Sequence, residues 1–209
     1  MNVVFLHGFV SSPQSTKVQY FTERLAGHGV ALRCPDFNQP DFKTMTMTRM
    51  LGQLEGELTG PATLIGSSLG GTLAILAASL FRPRVERLVL LAPAVMFGDP
   101  DHHLLSRAEI ARWKAQGEHT FPHYAYGDSR ALSYAFYEDS LKYDTFGTLF
   151  AQPTLIFQGT RDALVDAKDV ERFASTRANV TLTLVDDDHQ LISSLPRIWS
   201  AVRPFLGLQ

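Results

Sequence analysis

What most constrains this chain is how its apolar residues are spaced. Short runs rich in Val, Ile and Leu alternate with longer stretches in which apolar residues recur every three or four positions. The runs predict strands at 3–6, 30–32, 62–65, 87–92, 154–157 and 180–185. The stretches predict helices at 15–26, 45–58, 69–81, 167–176 and 190–205. Val18, Phe21 and Leu25 form the stripe of the first helix, and Met47, Met50, Leu51, Leu54 and Leu58 that of the second. The strand runs are apolar almost throughout, so both faces of their sheet must be covered, and a helix between successive strands makes the sheet mostly parallel. The expected fold class is α/β, a single domain over residues 1–209 with about six strands and helices on both faces. Binding sites in such a sheet lie beyond the C-terminal strand ends. A length of 209 residues, 45% of them hydrophobic and 19% charged, fits one buried core and excludes a disordered or fibrous chain.

The alternation breaks over residues 98–150, a long connection for a βα unit. Positions 97–150 hold 11 of the chain's 22 aromatic residues, and so apolar an insertion must pack on something. It is expected to be a helical cap over the strand ends, with part of its aromatic surface lining a pocket. The alternative is that these rings only fasten the insertion to the core.

Nineteen Lys and Arg against 21 Asp and Glu give a net charge of −2 with no basic cluster, which excludes the electrostatic footprint of a nucleic-acid binder. Every apolar run is shorter than the roughly 20 residues of a spanning helix, so no membrane span is expected. Cys34, the single cysteine, has no intrachain partner and is expected as a small core residue at a strand end. Met1 and Asn2 lead straight into an apolar run without a basic segment or cleavage site, and a cytoplasmic location is expected. Oligomeric state is not legible.

Gly66-Ser67-Ser68-Leu69-Gly70 reads G-x-S-x-G between the third strand and third helix. A nucleophilic serine needs a turn so tight that its hydroxyl projects from the sheet, and the flanking glycines let neighbouring backbones approach. The bare pattern arises by chance in roughly one chain in 14 of this size, so the strand-to-helix context carries the weight. A plain glycine-rich turn with Ser68 capping the helix is the other reading. A serine hydroxyl also requires a base, and the base an orienting acid. Asp162 follows the fifth strand and His189 the sixth, so one sheet edge can collect all three in the chain order Ser, Asp, His. Oxyanion donors are expected from the N–H of Leu69, at the positive end of its helix, and of Phe9, in the turn that Gly8 permits after the first strand.

Together, Leu6-His7-Gly8-Phe9, the turn at Ser68, Gly159-Thr160-Arg161-Asp162 and the late His189 resemble the α/β-hydrolase superfamily over nearly the whole chain. The stretch His7-Gly8-Phe9-Val10-Ser11-Ser12-Pro13-Gln14-Ser15-Thr16-Lys17 more closely resembles the short bacterial YqiA-like esterases. The resemblance implies a Ser-His-Asp hydrolase that needs no cofactor and acts on small-molecule esters or thioesters. The chain starts at the strand that comes third in the fuller superfamily pattern, and its insertion is larger than in the smallest esterases. The expected activity is hydrolysis of carboxylic esters of small or medium acyl groups. A thioesterase, an acyltransferase and a catalytically silent ligand-binding protein of the same fold stay open.

Other residues are expected to mean less. His102-His103 and the pair His119 and His123 suggest metal ligands, but Phe121-Pro122 disfavours a regular helix between the latter and no acidic motif completes a site, so no metal is expected. Asp99 and Asp101 are placed to serve as an alternative triad acid. Asp186, Asp187 and Asp188 read as a solvated loop, and Lys17 is expected on the solvent side of its helix.

Overall fold

The computed structural model describes residues 1–102 and 104–209. Its strands are β1 (Val3–Leu6), β2 (Leu32–Arg33), β3 (Ala62–Ser67), β4 (Val85–Leu91), β5 (Glu118–His123), β6 (Asp128–Ser133), β7 (Thr154–Gly159) and β8 (Val180–Val185). Its helices are α1 (Thr16–Ala26), α2 (Met47–Glu57), α3 (Leu69–Leu80), α4 (Arg107–Gln116), α5 (Ala135–Ser140), α6 (Ala167–Ser175) and α7 (Leu195–Phe205). Six strands form one parallel sheet in the order β2-β1-β3-β4-β7-β8.

Strand alternation explains the continuous apolar runs. In β1, Val3 and Phe5 join a cluster with Phe21 and Leu25 of α1 and Ile198 and Val202 of α7. Val4 and Leu6 point the other way, into a cluster with Leu54 of α2, Leu73 of α3 and Phe173 of α6. The same split separates Ile65 from Leu64, Val89 from Leu88, and Phe157 from Ile156. Helices therefore cover both faces, as the sequence predicts. α3 is buried almost all round, from Leu69 to Ala78, as a helix wedged between sheet and neighbours must be. Several boundaries shift, β4 beginning at Val85 instead of position 87 and β7 ending at Gly159 instead of 157, and two of the shifts have a visible setting. β2 begins at Leu32 instead of position 30, at the sheet edge, where Arg33 reaches Glu57 and Asn2. α7 starts at Leu195 instead of position 190, because Leu191 takes φ 56° and residues before Leu195 remain a loop.

Between β4 and β7 the insertion is not wholly helical. It contains α4, the antiparallel pair β5–β6 and α5. The pair was hidden in sequence because Phe121 is the one strongly apolar residue of β5 and Pro122 argues against a strand. Trp113 of α4 is fully buried, its indole N–H donating to the Leu132 carbonyl at 2.9 Å, which joins α4 to β6. Asp139 of α5 accepts from the Thr48 N–H at 2.7 Å and from its hydroxyl at 2.8 Å, which fastens the insertion to the first turn of α2. Phe9, in the loop after β1, meets Phe121 at 5.0 Å and Phe136 at 5.6 Å between ring centres, so the insertion lies against the loop that carries a candidate oxyanion donor.

Candidate active site

Ser68 stands at the turn between β3 and α3 with φ 52° and ψ −115°, a conformation that residues bearing a Cβ rarely adopt. Its side chain makes no helix-cap hydrogen bond, which removes the reading of Ser68 as a simple cap. The flanking glycines are required by contact. A Cβ at Gly66 would overlap the Gly70 carbonyl, and one at Gly70 would overlap the Leu6 carbonyl at the end of β1. Gly71 faces Pro93, where an added Cβ would come within 2.7 Å of the proline Cβ. The loop after β1 packs beside the turn, where a Cβ at Gly8 would lie 3.3 Å from the Ser67 carbonyl oxygen and 3.5 Å from the Ser68 Cβ. The turn is held open from behind by the Ser68 N–H donating to Leu91 and by its carbonyl accepting from Gly71 and Thr72.

Phe9, Ser68 and Leu69 line one cavity of about 290 Å³, whose walls include Trp113, Phe121 and Phe136. The candidate nucleophile and both candidate oxyanion residues thus border the same space, under aromatic side chains of the insertion. His7 braces this loop. Its Nε2 accepts from the Phe37 N–H at 3.0 Å, which puts the ring proton on Nδ1, and Nδ1 donates to the Gly8 carbonyl at 2.9 Å.

Asp162 and His189 come together from the ends of β7 and β8, with His189 Nδ1 and Asp162 Oδ2 at 2.8 Å. The Asp162 carboxylate is fully enclosed, and it also accepts from Gln158 Nε2 and from the N–H groups of Leu164 and Val165, each at 2.9 Å. Burial pushes its carboxyl up, but the His189 hydrogen bond and the Val165 and Leu164 N–H groups outweigh this and hold it below the ordinary carboxylate range. An ionised Asp162 keeps the His189 proton on Nδ1 and leaves Nε2 with a free lone pair. The alternative acids are engaged elsewhere, Asp99 with His102 at 3.3 Å and Asp101 with Arg107 at 2.8 Å.

The loop bearing His189 corrects two expectations. Asp187 is not solvated but buried, accepting from the N–H groups of Asp188 and Ser194 at 2.9 Å. Burial raises its carboxyl, and the Ser194 and Asp188 hydrogen bonds reverse the shift to a net lowering. Nor does Lys17 face solvent. It is 8% exposed, and its Nζ donates to the Gln190 carbonyl at 2.9 Å. Gly159 permits the close approach of the two strand ends, since a Cβ there would sit 2.5 Å from the Asp187 carbonyl oxygen and 2.6 Å from that of Asp188. Sequence reasoning placed His7 in the turn motif Leu6-His7-Gly8-Phe9 without its bracing role, and missed Lys17 and Gln158 as neighbours of the candidate site. Only Lys17 left a trace, lying four and eight positions before the buried Phe21 and Leu25.

His119 and His123 lie on a strand, where His123 is buried beside Asn38 at 3.2 Å; His103 lies outside the described residues. Among the described residues, no group of three or more His, Cys, Asp or Glu side chains is placed to hold a metal. Cys34 is half-buried, and burial, with Asp36 beside it, pushes its thiol up to about 12. Among the described residues no helix is long and apolar enough to cross a membrane.

Comparison with known proteins adds three kinds of likeness. The model of the family described as Uncharacterised protein family UPF0227 matches residues 2–205. The biotin biosynthesis bifunctional protein BioHC of Teredinibacter turnerae is 34% identical over 131 residues, 60% of this chain, and the match spans 22% of that protein's length. Solved structures share the fold. Est1E from Butyrivibrio proteoclasticus with ferulic acid bound superposes with a TM-score of 0.83 at 20% identity, covering 99% of this chain and 88% of that one. Mouse alpha/beta hydrolase domain-containing protein 10 gives 0.81 at 19% identity, covering 99% and 89%. Monoacylglycerol lipase of Paleococcus ferrophilus gives 0.76 at 16% identity, covering 98% and 93%. The sheet order and helix layers are those of the α/β-hydrolase fold.

Proposed function

The chain belongs to the UPF0227 family, and from that premise we propose that it is a serine hydrolase that cleaves carboxylic esters of small or medium acyl groups at Ser68. The observation that carries the proposal is the Asp162–His189 hydrogen bond at 2.8 Å, formed by an enclosed carboxylate and leaving the outer ring nitrogen free. In the proposed mechanism His189 Nε2 takes the proton of the Ser68 hydroxyl as its oxygen attacks the ester carbonyl. The N–H groups of Phe9 and Leu69 stabilise the oxyanion, where loss of one such donor typically costs about 3 kcal/mol. His189 then passes its proton to the departing alcohol, and Asp162 keeps the imidazole in the productive tautomer throughout. Water, deprotonated by the same nitrogen, releases the acyl group from Ser68. The aromatic wall of the cavity suits an apolar acyl chain, and residues 98–150 act in this reading as the cap that excludes water.

The test is turnover of p-nitrophenyl acyl esters together with labelling by a fluorophosphonate. The wild-type chain should be labelled at Ser68 and should show a preference along the acyl-length series. Ser68→Ala should lose on the order of 10⁴-fold or more in kcat with the fold intact. Near-normal turnover by that variant would remove the mechanism. Parallel assays on acyl thioesters, and product partition with an added alcohol acceptor, separate thioesterase and acyl transfer from ester hydrolysis.

A further inference from the structure

We infer that Lys17 is a positioning residue, which holds the His189 loop in place from α1 by donating to the backbone carbonyl of Gln190; this inference rests on the Ser68–His189–Asp162 reading. Lys17 and Gln190 are 173 positions apart, yet Nζ and the carbonyl oxygen meet at 2.9 Å with the side chain almost fully enclosed. The loop is tied on both sides of the histidine. Before it, the Arg161 N–H donates to the Asp187 carbonyl at 3.0 Å, the Thr160 N–H donates to Val185 at 2.9 Å, and Gly159 lets the strand end press against Asp187 and Asp188. After it, Lys17 holds Gln190. With both flanks fixed, the direction of the imidazole is held by the β7-end loop that also bears Asp162 and, independently of that loop, by α1 through Lys17.

The sequence preceding α1 is built to deliver this contact. The Ser12 hydroxyl accepts from the Gln14 N–H and the Ser12 carbonyl from the Ser15 N–H, a tight turn that starts the helix directly before Lys17. Lys17 then shares its helix face with Phe21 and Leu25, so its aliphatic stem packs in the core and only its head is polar. Three carboxylates act on that head, those of Asp188, Asp162 and Asp187, and they favour its charge. Burial opposes them and prevails, lowering the ammonium from 10.5 to about 8. A charge that folding disfavours is not placed there for stability alone, since an apolar side chain would fill the same space without desolvation.

The experiment compares Lys17→Met and Lys17→Gln with the wild-type chain in ester turnover, fluorophosphonate labelling rate and thermal melting. Lys17→Met is expected to lower kcat and the labelling rate at least tenfold while KM stays within about twofold, with no matching loss of melting temperature. Lys17→Gln keeps an N–H donor and should fall between Lys17→Met and wild type. A folded Lys17→Met with unchanged kcat overturns the inference, as does a variant that melts lower but turns over normally. Should Lys17→Met fail to fold, Lys17→Gln decides by the same split of kcat from KM. A wild-type chain that neither hydrolyses esters nor takes the label removes the triad reading and this inference with it; an active wild type beside an equally active Lys17→Met removes this inference alone.

Discussion

Ser68 takes a positive φ without being glycine, and such positions typically cost on the order of 1–3 kcal/mol. That cost gives the triad reading a measurable counterpart. Ser68→Gly and Ser68→Ala should both abolish turnover, because neither supplies a hydroxyl. Ser68→Gly should nonetheless be more stable than Ser68→Ala by about 1 kcal/mol, since glycine adopts φ 52° without a Cβ clash. Urea unfolding of the two variants checks this, and equal stabilities would mean that the turn stores no strain. The contrast also explains which candidate site residues were legible. Ser68 is announced by glycines that contact makes obligatory, and Asp162 and His189 by their places just past strand ends. Lys17 acts through the carbonyl of Gln190, 173 positions away, and His7 accepts from the N–H of Phe37, 30 positions away, so these contacts form only once separate segments meet, whereas Gln158 reaches Asp162 from four positions away and carries no pattern that singles it out.

Among the elements, legibility followed burial. β1, β3, β4 and β7 are enclosed on both faces and so leave continuous apolar runs, whereas the edge strands β2 and β8 are partly exposed; β8 nonetheless matches positions 180–185, while β2 shrinks to two residues. The pair β5–β6 left no such run, because β5 alternates exposed with partly buried positions and includes Pro122. The insertion is held to the body in part by Asp139, which offers both carboxylate oxygens to Thr48 at the positive end of α2. Lys142 contacts the same carboxylate at 2.9 Å. Burial raises the Asp139 carboxyl, but the Thr48 and Lys142 interactions leave it below its ordinary range. Asp139→Ala strips the first turn of α2 of its acceptor at the exposed Thr48 and should destabilise the chain by about 1 kcal/mol. Since α5 borders the same aromatic cluster as Phe9, the variant should also raise KM for the ester. Unchanged stability in urea would show that the insertion is fastened elsewhere.

Over the whole molecule, the site's charges make stability depend on pH in two windows. Asp162 and Asp187 are held below the usual carboxylate range, so their contribution is present above that range and is lost as pH falls from it through the lower values of the folded chain. Lys17 acts at the other end with the opposite sense. Its ammonium titrates near 8 when folded and near 10.5 when unfolded. Between those values the unfolded chain binds more protons, and stability therefore rises with pH as the cost of burying the charge disappears. Cys34, pushed up to about 12, works against this from about pH 9 upward, because the unfolded thiol ionises first. Comparison with Lys17→Met cancels the cysteine, which is common to both chains and pairs with neither Lys17 nor Gln190. The unfolding free energy of wild type minus that of Lys17→Met should therefore climb by about 3 kcal/mol between pH 7.5 and 10.5, the equivalent of the displacement from 10.5 to about 8. Urea denaturation of both chains across that range measures the difference. A flat profile would mean that the ammonium is no harder to charge in the folded chain than in the unfolded one, and that its contact with Gln190 places no burden on the fold.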